Sequence, residues 1–268
     1  MKFGFIGLGN MASAIIKGMV ASGQYEAANI FGFNRSTAKT ENLATNYGMT
    51  ASTSIEQLVQ TVDVVVLSVK PQMLPDVLPI IRPLLRPEQI IISIAAGKPL
   101  AYFQEQLGED VSIIRVMPNI NATIGASTSC FSTLPTATME QKQIVQQMFA
   151  TVGSIIELPE HQFSIFTSIA CSSPAFSYLY IDSLARAAVK EGMPKQLALE
   201  IAASSVLGSA KMVLQSQEHP WTLIDQVCSP GGTTIEGVTS LQVNHFESTI
   251  YEAVDAVTSK DRTLAKIK

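Results

Sequence analysis

Cysteine is scarce in this chain: its 268 residues hold three, Cys130, Cys171 and Cys228, far apart and odd in number. That argues against a disulfide framework or a zinc site and suits a reducing compartment. Histidine is as rare. His161, His219 and His245 stand alone, without a second ligand at metal spacing, and read as structural; no metal is expected. Charge is low, with 18 Lys and Arg against 22 Asp and Glu for a net charge of -4. Nothing in that balance attracts nucleic acid or an anionic membrane, and neither is expected as a partner. No apolar run approaches the ~18 residues needed to cross a bilayer. A leader peptide is not expected either. Lys2, an apolar run and Ala12-Ser13-Ala14 have its outline, but Gly7 and Gly9 interrupt the run and Asn10 falls where a helix cap is wanted. A cytoplasmic location is therefore the expectation.

Apolar residues, by contrast, are plentiful, at 47% of the chain with a mean hydropathy of +0.25. Either the cores are large or some apolar surface meets another subunit. The length suits one large domain or two ordinary ones.

The first dozen residues organise the rest of the chain. Phe3–Ile6 is a short apolar run; Gly7-Leu8-Gly9-Asn10-Met11-Ala12 comes next, and a helical pattern opens at once, with Met11, Ile15 and Met19 on one face and Gly23 placed to end it. This is the G-x-G-x-x-A dinucleotide fingerprint between a strand and a helix. Gly7 permits the tight turn, Gly9 lets a pyrophosphate approach the backbone, and Ala12 keeps helix and strand close. The pyrophosphate would rest on the free N–H groups of the helix start.

A second strand, Asn29–Phe33, ends in Asn34-Arg35-Ser36. NAD-specific folds place a carboxylate at this point, about 20 residues past the glycines, to bind the ribose 2′-hydroxyl. Here an amide, a guanidinium and a hydroxyl stand instead, all able to donate to a 2′-phosphate. NADPH is therefore the expected cofactor, with NADH as the alternative.

Three β-branched runs repeat the strand pattern: Asp63–Val69, Ile90–Ile94 and Ile113–Met117. Continuous runs of this kind read as parallel strands buried on both faces. They end in Val69-Lys70-Pro71, Ala95-Ala96-Gly97 and Pro118-Asn119, small or polar residues at the strand ends that face the ligand crevice. Further strands are expected at Ala126–Phe131 and Ser154–Leu158, with a helix at Met139–Thr151 between them.

After Pro159 the pattern becomes helical. From Phe163 to Ala188 the only charges are Asp182 and Arg186, and Pro174 either kinks a helix or starts one. Helices are expected at Pro194–Ser216, Thr233–Val243 and Phe246–Ile267. The central helix is apolar nearly all round and has too few neighbours in its own chain to cover it, which points to a second subunit. The fold class is thus α/β: a Rossmann-type dinucleotide-binding domain at residues 1–160, then an all-α dimerisation and substrate domain at residues 161–268.

Within the helical half, Cys228-Ser229-Pro230-Gly231-Gly232-Thr233-Thr234 opens a helix with backbone N–H groups flanked by hydroxyls. Such a turn can hold a small carboxylate, although threonine capping an ordinary helix would read the same way.

The sequence resembles the pyrroline-5-carboxylate reductases over nearly its whole length. The resemblance rests on Phe5–Ala12, Asn34-Arg35-Ser36, Val69–Gln72, Ala95-Ala96-Gly97, Arg115–Asn119, Ser173-Pro174-Ala175-Phe176 and, most specifically, Cys228–Thr234. It implies NAD(P)H-dependent reduction of L-1-pyrroline-5-carboxylate to L-proline, a homodimer interlocked through the helical domains, and assembly of five dimers into a decamer. It also implies cofactor contacts at Gly7, Leu8, Gly9, Asn10, Met11, Ala12, Asn34, Arg35, Ser36, Val69, Lys70, Pro71, Ala95, Ala96, Gly97 and Asn119. Substrate contacts would be Glu160, Thr167, Gly232, Thr233 and Thr234, with the Thr234 hydroxyl as the catalytic group near the imine nitrogen. Two departures stand out: Cys171–Phe176 replaces the family's Gly-Ser-Gly-Pro-Ala-Tyr, and an asparagine that contacts the adenosine near Ile55 is missing. The rivals are a silent paralogue of the same fold and a β-hydroxyacid dehydrogenase. The latter needs a lysine on the long helix, and none lies between Lys142 and Lys190.

Overall fold

Alternation within very short strands sets the architecture. In the computed structural model, which describes residues 1–265, eight strands form one sheet: β1 (Phe3–Ile6), β2 (Ile30–Phe33), β3 (Thr50–Ala51), β4 (Val64–Leu67), β5 (Ile90–Ser93), β6 (Ser112–Met117), β7 (Ser127–Thr133) and β8 (Gly153–Glu157). Their order is β3-β2-β1-β4-β5-β6-β7-β8, parallel throughout except for the antiparallel pair β6–β7. Successive residues leave opposite faces, so Phe3, Phe5, Val64, Val66, Ile90 and Ile92 enter one core, while Ile6, Val65, Leu67 and Ile91 enter the other. A sheet covered on both sides needs apolar residues at every position. This accounts for the unbroken valine and isoleucine runs.

The helices between strands are α1 (Asn10–Ala21), α2 (Thr37–Tyr47), α3 (Ile55–Thr61), α4 (Leu74–Ile81), α5 (Leu100–Leu107) and α6 (Met139–Ala150). Residues of α1 and α6, such as Ile15, Met19, Val145 and Phe149, fill the first core; Leu58, Leu74, Leu78 and Phe103 from α3, α4 and α5 fill the second. The expected strands and the first helix appear within two residues at each end. Helix α6 is fixed by a capping box in which Thr138 and Gln141 bond reciprocally.

After β8 come α7 (Phe163–Phe166), a π-helical stretch at Thr167–Ser172, α8 (Ser173–Lys190), α9 (Lys195–Ser216), α10 (Pro220–Val227), α11 (Thr233–Val243) and α12 (Phe246–Ala265). Pro174 stands in the first turn of α8, directly after the π-helical stretch; it has no N–H for the carbonyl four residues back, that of Ala170, which accepts from Asn119 Nδ2 instead. Helix α10 has no counterpart among the expected helices; His219 caps it by accepting from the Trp221 amide at 3.2 Å. The expected end of the last helix, Ile267, lies outside the described residues.

Two compact units result: residues 1–171 with the described residues from Thr258 to Ala265, and Ser172–Val257. In the first, the buried hydroxyls of Ser168 and Thr258 meet at 2.6 Å. In the second, α8 packs on α9 through Ala185, Ala198 and Ala202, small residues that allow close approach. Helix α9 corrects one expectation. Its mean hydropathy reaches 1.5 over eighteen residues, so by length and composition it is apolar enough to cross a membrane, with only 11% of that window buried.

Candidate functional site

The order of the sheet reverses at β1, between β2 and β4, which opens a crevice at the carboxyl ends of those strands. Gly7 makes the turn there with φ of +96°, and its amide donates to the Phe33 carbonyl at 2.8 Å. A Cβ at Gly7 would lie 2.8 Å from Val69 Cγ1 and 3.0 Å from the Ser68 carbonyl. Only glycine meets both demands. Ser68, absent from the residues expected in the site, stitches this turn to β4: its hydroxyl lies 2.6 Å from the Gly7 carbonyl and 3.0 Å from that of Ile6.

Gly9 is the N-cap of α1 and offers no side-chain cap. A Cβ built on it would enter open space. The first amide to bond back is Ser13, which donates to the Gly9 carbonyl at 2.9 Å, so Asn10, Met11 and Ala12 carry N–H groups without an intrahelical partner. The first turn holds no acidic residue. A clear approach, free donors and an uncompensated helix dipole together fit a pyrophosphate. Leu8 is buried beside this turn and Ala12 lies against the sheet.

At the end of β2, the Asn34 side chain is committed within the protein: its Oδ1 accepts from the Leu8 amide at 3.1 Å and its Nδ2 donates to the Ser36 carbonyl at 3.2 Å. Arg35 and Ser36 are exposed, and Ser36, the N-cap of α2, makes no capping bond with its side chain. Their donors fit a 2′-phosphate. Lys39, on the first turn of α2, lines a cavity of about 340 Å³ with Leu8, Asn10 and Ser13. It is not among the expected site residues, although a cation four positions past Arg35 is a visible signal.

Farther along the rim, Lys70 is exposed and extended ahead of Pro71, and Val69 packs against the second core. Ala95 is buried, with its amide 3.3 Å from Ser93 Oγ, and Gly97 turns the chain at φ of +73°. Asn119 is only 4% exposed. Its Oδ1 accepts from the Asn121 and Thr128 amides, and its Nδ2 donates to the Ala170 carbonyl at 2.9 Å. That last bond anchors the π-helical stretch.

The expected substrate residues divide between the units. Glu160 and Thr167 lie in the first, Gly232, Thr233 and Thr234 in the second. Glu160 Oε1 accepts from Arg115 Nη1 and from the Leu100 amide, both at 2.8 Å. Thr167 Oγ1 donates to the Phe163 carbonyl at 2.8 Å. Gly231, at φ of +67°, and Gly232, whose amide donates to the Ser229 carbonyl at 2.9 Å, turn the chain into α11. Gly232 caps that helix without a side chain. Thr233 and Thr234 are exposed on the first turn, where the amides have no intrahelical acceptor. Thr234 also lines a cavity of about 730 Å³ with Tyr180, Met212, Leu223, Cys228 and Val238.

All three cysteines are free. Burial pushes the Cys130 thiol up to about 12 and that of Cys171 to about 11, which leaves neither available as a thiolate nucleophile near neutral pH. Among the described residues, no group of three or more His, Cys, Asp or Glu side chains could hold a metal ion.

Two family models match the chain. Residues 160–264 match pyrroline-5-carboxylate reductase dimerisation, and residues 2–97 match NADP oxidoreductase, coenzyme F420-dependent. Pyrroline-5-carboxylate reductase from Glycine max is 41% identical over 267 residues, covering 98% of this chain and 95% of that protein. The enzyme of the same name from Escherichia coli is 38% identical over 265 residues, covering 99% and 98%. Among solved structures, pyrroline carboxylate reductase from Plasmodium falciparum with NADP bound is 31% identical and superposes with a TM-score of 0.88, covering 99% of this chain and 98% of that one. The chain belongs to the pyrroline-5-carboxylate reductase family.

Proposed function

We propose that this chain reduces L-1-pyrroline-5-carboxylate to L-proline with NADPH, NADH serving less well, as the last step of proline synthesis. The observation that carries the reading is the Pro230-Gly231-Gly232-Thr233-Thr234 turn opening α11, in a chain that also holds a dinucleotide crevice. The relatives' names and the NADP in the Plasmodium structure agree with it.

Each part has a stated task. The free amides of Asn10, Met11 and Ala12 hold the pyrophosphate at the start of α1. Arg35 and Ser36 hold the 2′-phosphate, and Asn34 keeps them in place through the Leu8 amide. Val69-Lys70-Pro71, Ala95-Ala96-Gly97 and Asn119 line or support the rim where the nicotinamide half lies. When bound, the reduced nicotinamide supplies the hydride. The amides of the first turn of α11, beside Gly232, take the substrate carboxylate, Thr167 contributes a hydroxyl, and the Thr233 and Thr234 hydroxyls orient the ring, with that of Thr234 at the imine nitrogen. A cyclic imine is basic enough to be protonated by solvent. The protein's share is therefore proximity and electrostatics more than acid–base power.

The same reading makes residues 1–160 the cofactor domain and residues 161–268 the dimerisation and substrate domain, in a cytoplasmic homodimer that assembles as five dimers. The apolar faces of α8 and α9 support an interface between copies, and α9 then needs no membrane. Net charge supports no nucleic-acid partner. The dehydrogenase alternative fails for want of a lysine between Lys142 and Lys190.

The test is direct: purified protein, NADPH and pyrroline-5-carboxylate, with cofactor absorbance and proline both followed. Proline at the level of a no-enzyme control would sink the reading. Thr234→Val should lower kcat about tenfold or more while NADPH affinity holds, a loss of ~1.4 kcal/mol or more in the transition state. Weaker NADPH binding at unchanged kcat would assign Thr234 to the cofactor instead.

A further inference from the structure

One carboxylate ties together three pieces of chain beside the crevice. Strand β5 ends at Ser93, which faces Arg115 of β6 in the sheet register. The chain then runs through Ala95-Ala96-Gly97 to Pro99, the N-cap of α5, which has no side-chain acceptor to offer the helix. Glu160, sixty residues on, supplies the missing cap: its Oε1 accepts from the Leu100 amide at 2.8 Å. The same oxygen accepts from Arg115 Nη1 at 2.8 Å. Arg115 is 7% exposed, its guanidinium centre stands 4.4 Å from the centroid of the Phe163 ring, and its Nε has no partner among the described residues. A buried guanidinium in that state depends on its one carboxylate, because an uncompensated buried charge is expensive.

We propose that Glu160 and Arg115 are positioning residues for the nicotinamide half of the cofactor, and that Glu160 is not a substrate contact. By capping α5, Glu160 fixes the far end of the loop whose near end is fixed by Ser93 Oγ on the Ala95 amide. Arg115 in turn fixes Glu160. The proposal rests on the reading that NADPH lies across the crevice. Its adenosine end then sits at β2, beside Arg35, and its nicotinamide end over β4, β5 and β6, where this loop stands. A dedicated lock makes sense at that place, since a small displacement of the reacting ring slows transfer sharply.

The experiment compares two ligands by fluorescence or calorimetry: NADPH, and 2′,5′-ADP, which occupies only the adenosine end. Glu160→Ala should raise the NADPH Kd about tenfold and leave that of 2′,5′-ADP within twofold. Glu160→Gln keeps an accepting oxygen for the α5 cap but leaves the Arg115 charge uncompensated, so NADPH affinity should recover only in part, to a Kd about three- to fivefold above the parent, with the KM for pyrroline-5-carboxylate unchanged. Arg115→Lys, which keeps the charge and serves if the alanine variant fails to fold, should fall between the two. A Glu160→Gln protein with normal NADPH affinity and a KM for pyrroline-5-carboxylate raised tenfold would overturn the proposal and make the carboxylate a substrate group. So would equal loss of both ligands in Glu160→Ala, which marks general damage. Failure of the unaltered chain to bind NADPH is a separate result, and it removes the cofactor reading on which the proposal stands.

Discussion

The two units use apolar residues in opposite ways. In β4, Val64, Val65, Val66 and Leu67 are all at 0% exposure, answered from both sides by helices of the same chain. In α9, only Ala198 and Ala202 are buried, while Leu207, Met212 and Leu214 stand 57%, 56% and 82% exposed. Both stretches read as hydrophobic in sequence. The difference lies in what covers them: helices of the first unit cover the strand, whereas the exposed face of α9 lies within the stretch that matches the dimerisation model and, in the proposed assembly, is left to another copy. It also explains how a helix with two lysines and a glutamate, Lys195, Lys211 and Glu200, still passes for a membrane span on composition alone. An interface helix and a spanning helix share an apolar exterior; they differ in the solvent they meet.

Truncating one side chain in each unit sharpens this contrast most. Ile92→Ala, in the centre of the sheet, should lower unfolding stability by ~2–5 kcal/mol through lost transfer energy and a residual cavity. Leu207→Ala removes a side chain of the same size from an exposed site, so a dilute monomer should change by about 0.5 kcal/mol or less. Its effect should show instead as a higher dimer dissociation constant in analytical ultracentrifugation. If thermal melts at low protein concentration gave equal losses for both variants, the exposed face would already be packed within one chain.

A smaller effect separates binding from stability inside the first unit. Gly7 and Gly9 share one motif, yet a Cβ at Gly7 collides with Val69 and Ser68, whereas at Gly9 it meets nothing within 4 Å. Gly9→Val should therefore leave the melting temperature nearly unchanged while raising the NADPH Kd about tenfold or more, ~1.4 kcal/mol, because its side chain occupies the pyrophosphate's approach. Gly7→Val should lose both. Equal damage to folding from the two would mean that the space over Gly9 has no ligand role.

How much of this is legible in the sequence depends on the range of the forces involved. Strand runs such as Ile90–Ser93 are legible because burial on both faces acts on every residue. The glycine turn is legible because a backbone shape demands one residue type at a fixed position. The Asn34 amide reads as a phosphate donor, and its bond to the Leu8 amide, twenty-six residues back, has no local signature. Glu160 shows the same limit. The resemblance implies a substrate contact there, and its bonds to Arg115 and the Leu100 amide, brought to it by the sheet and by α5, have no local signature either. The π-helical stretch at Thr167–Ser172 is invisible in sequence because it depends on tertiary anchors such as Asn119 on the Ala170 carbonyl.

The last and smallest contrast concerns pH, and it belongs to the first unit. Cys130 sits on β7 at 0% exposure among Met117, Phe163 and Phe166. Burial raises its thiol from 9.0 to about 12, the chief cause being loss of solvation for the thiolate. The sign comes from proton counting. Between those values the unfolded chain has lost the proton and the folded chain keeps it, so the unfolded state binds fewer protons and stability falls as pH rises. The contribution is intact below pH 9 and declines from there toward 12, by ~1.4 kcal/mol per pH unit at most. Cys171, raised to about 11 by the same cause, adds to the decline over a narrower window. Chemical denaturation from about pH 8 to about pH 10.5 should thus show a falling free energy of unfolding, and Cys130→Ala should start lower, from the lost packing, but fall less steeply. Lysines and tyrosines titrate in the same range, which is why the slope difference between parent and variant is the quantity to read. Parallel slopes would show that the thiol reaches water in the folded state, and that the packing around β7 is looser than its burial implies.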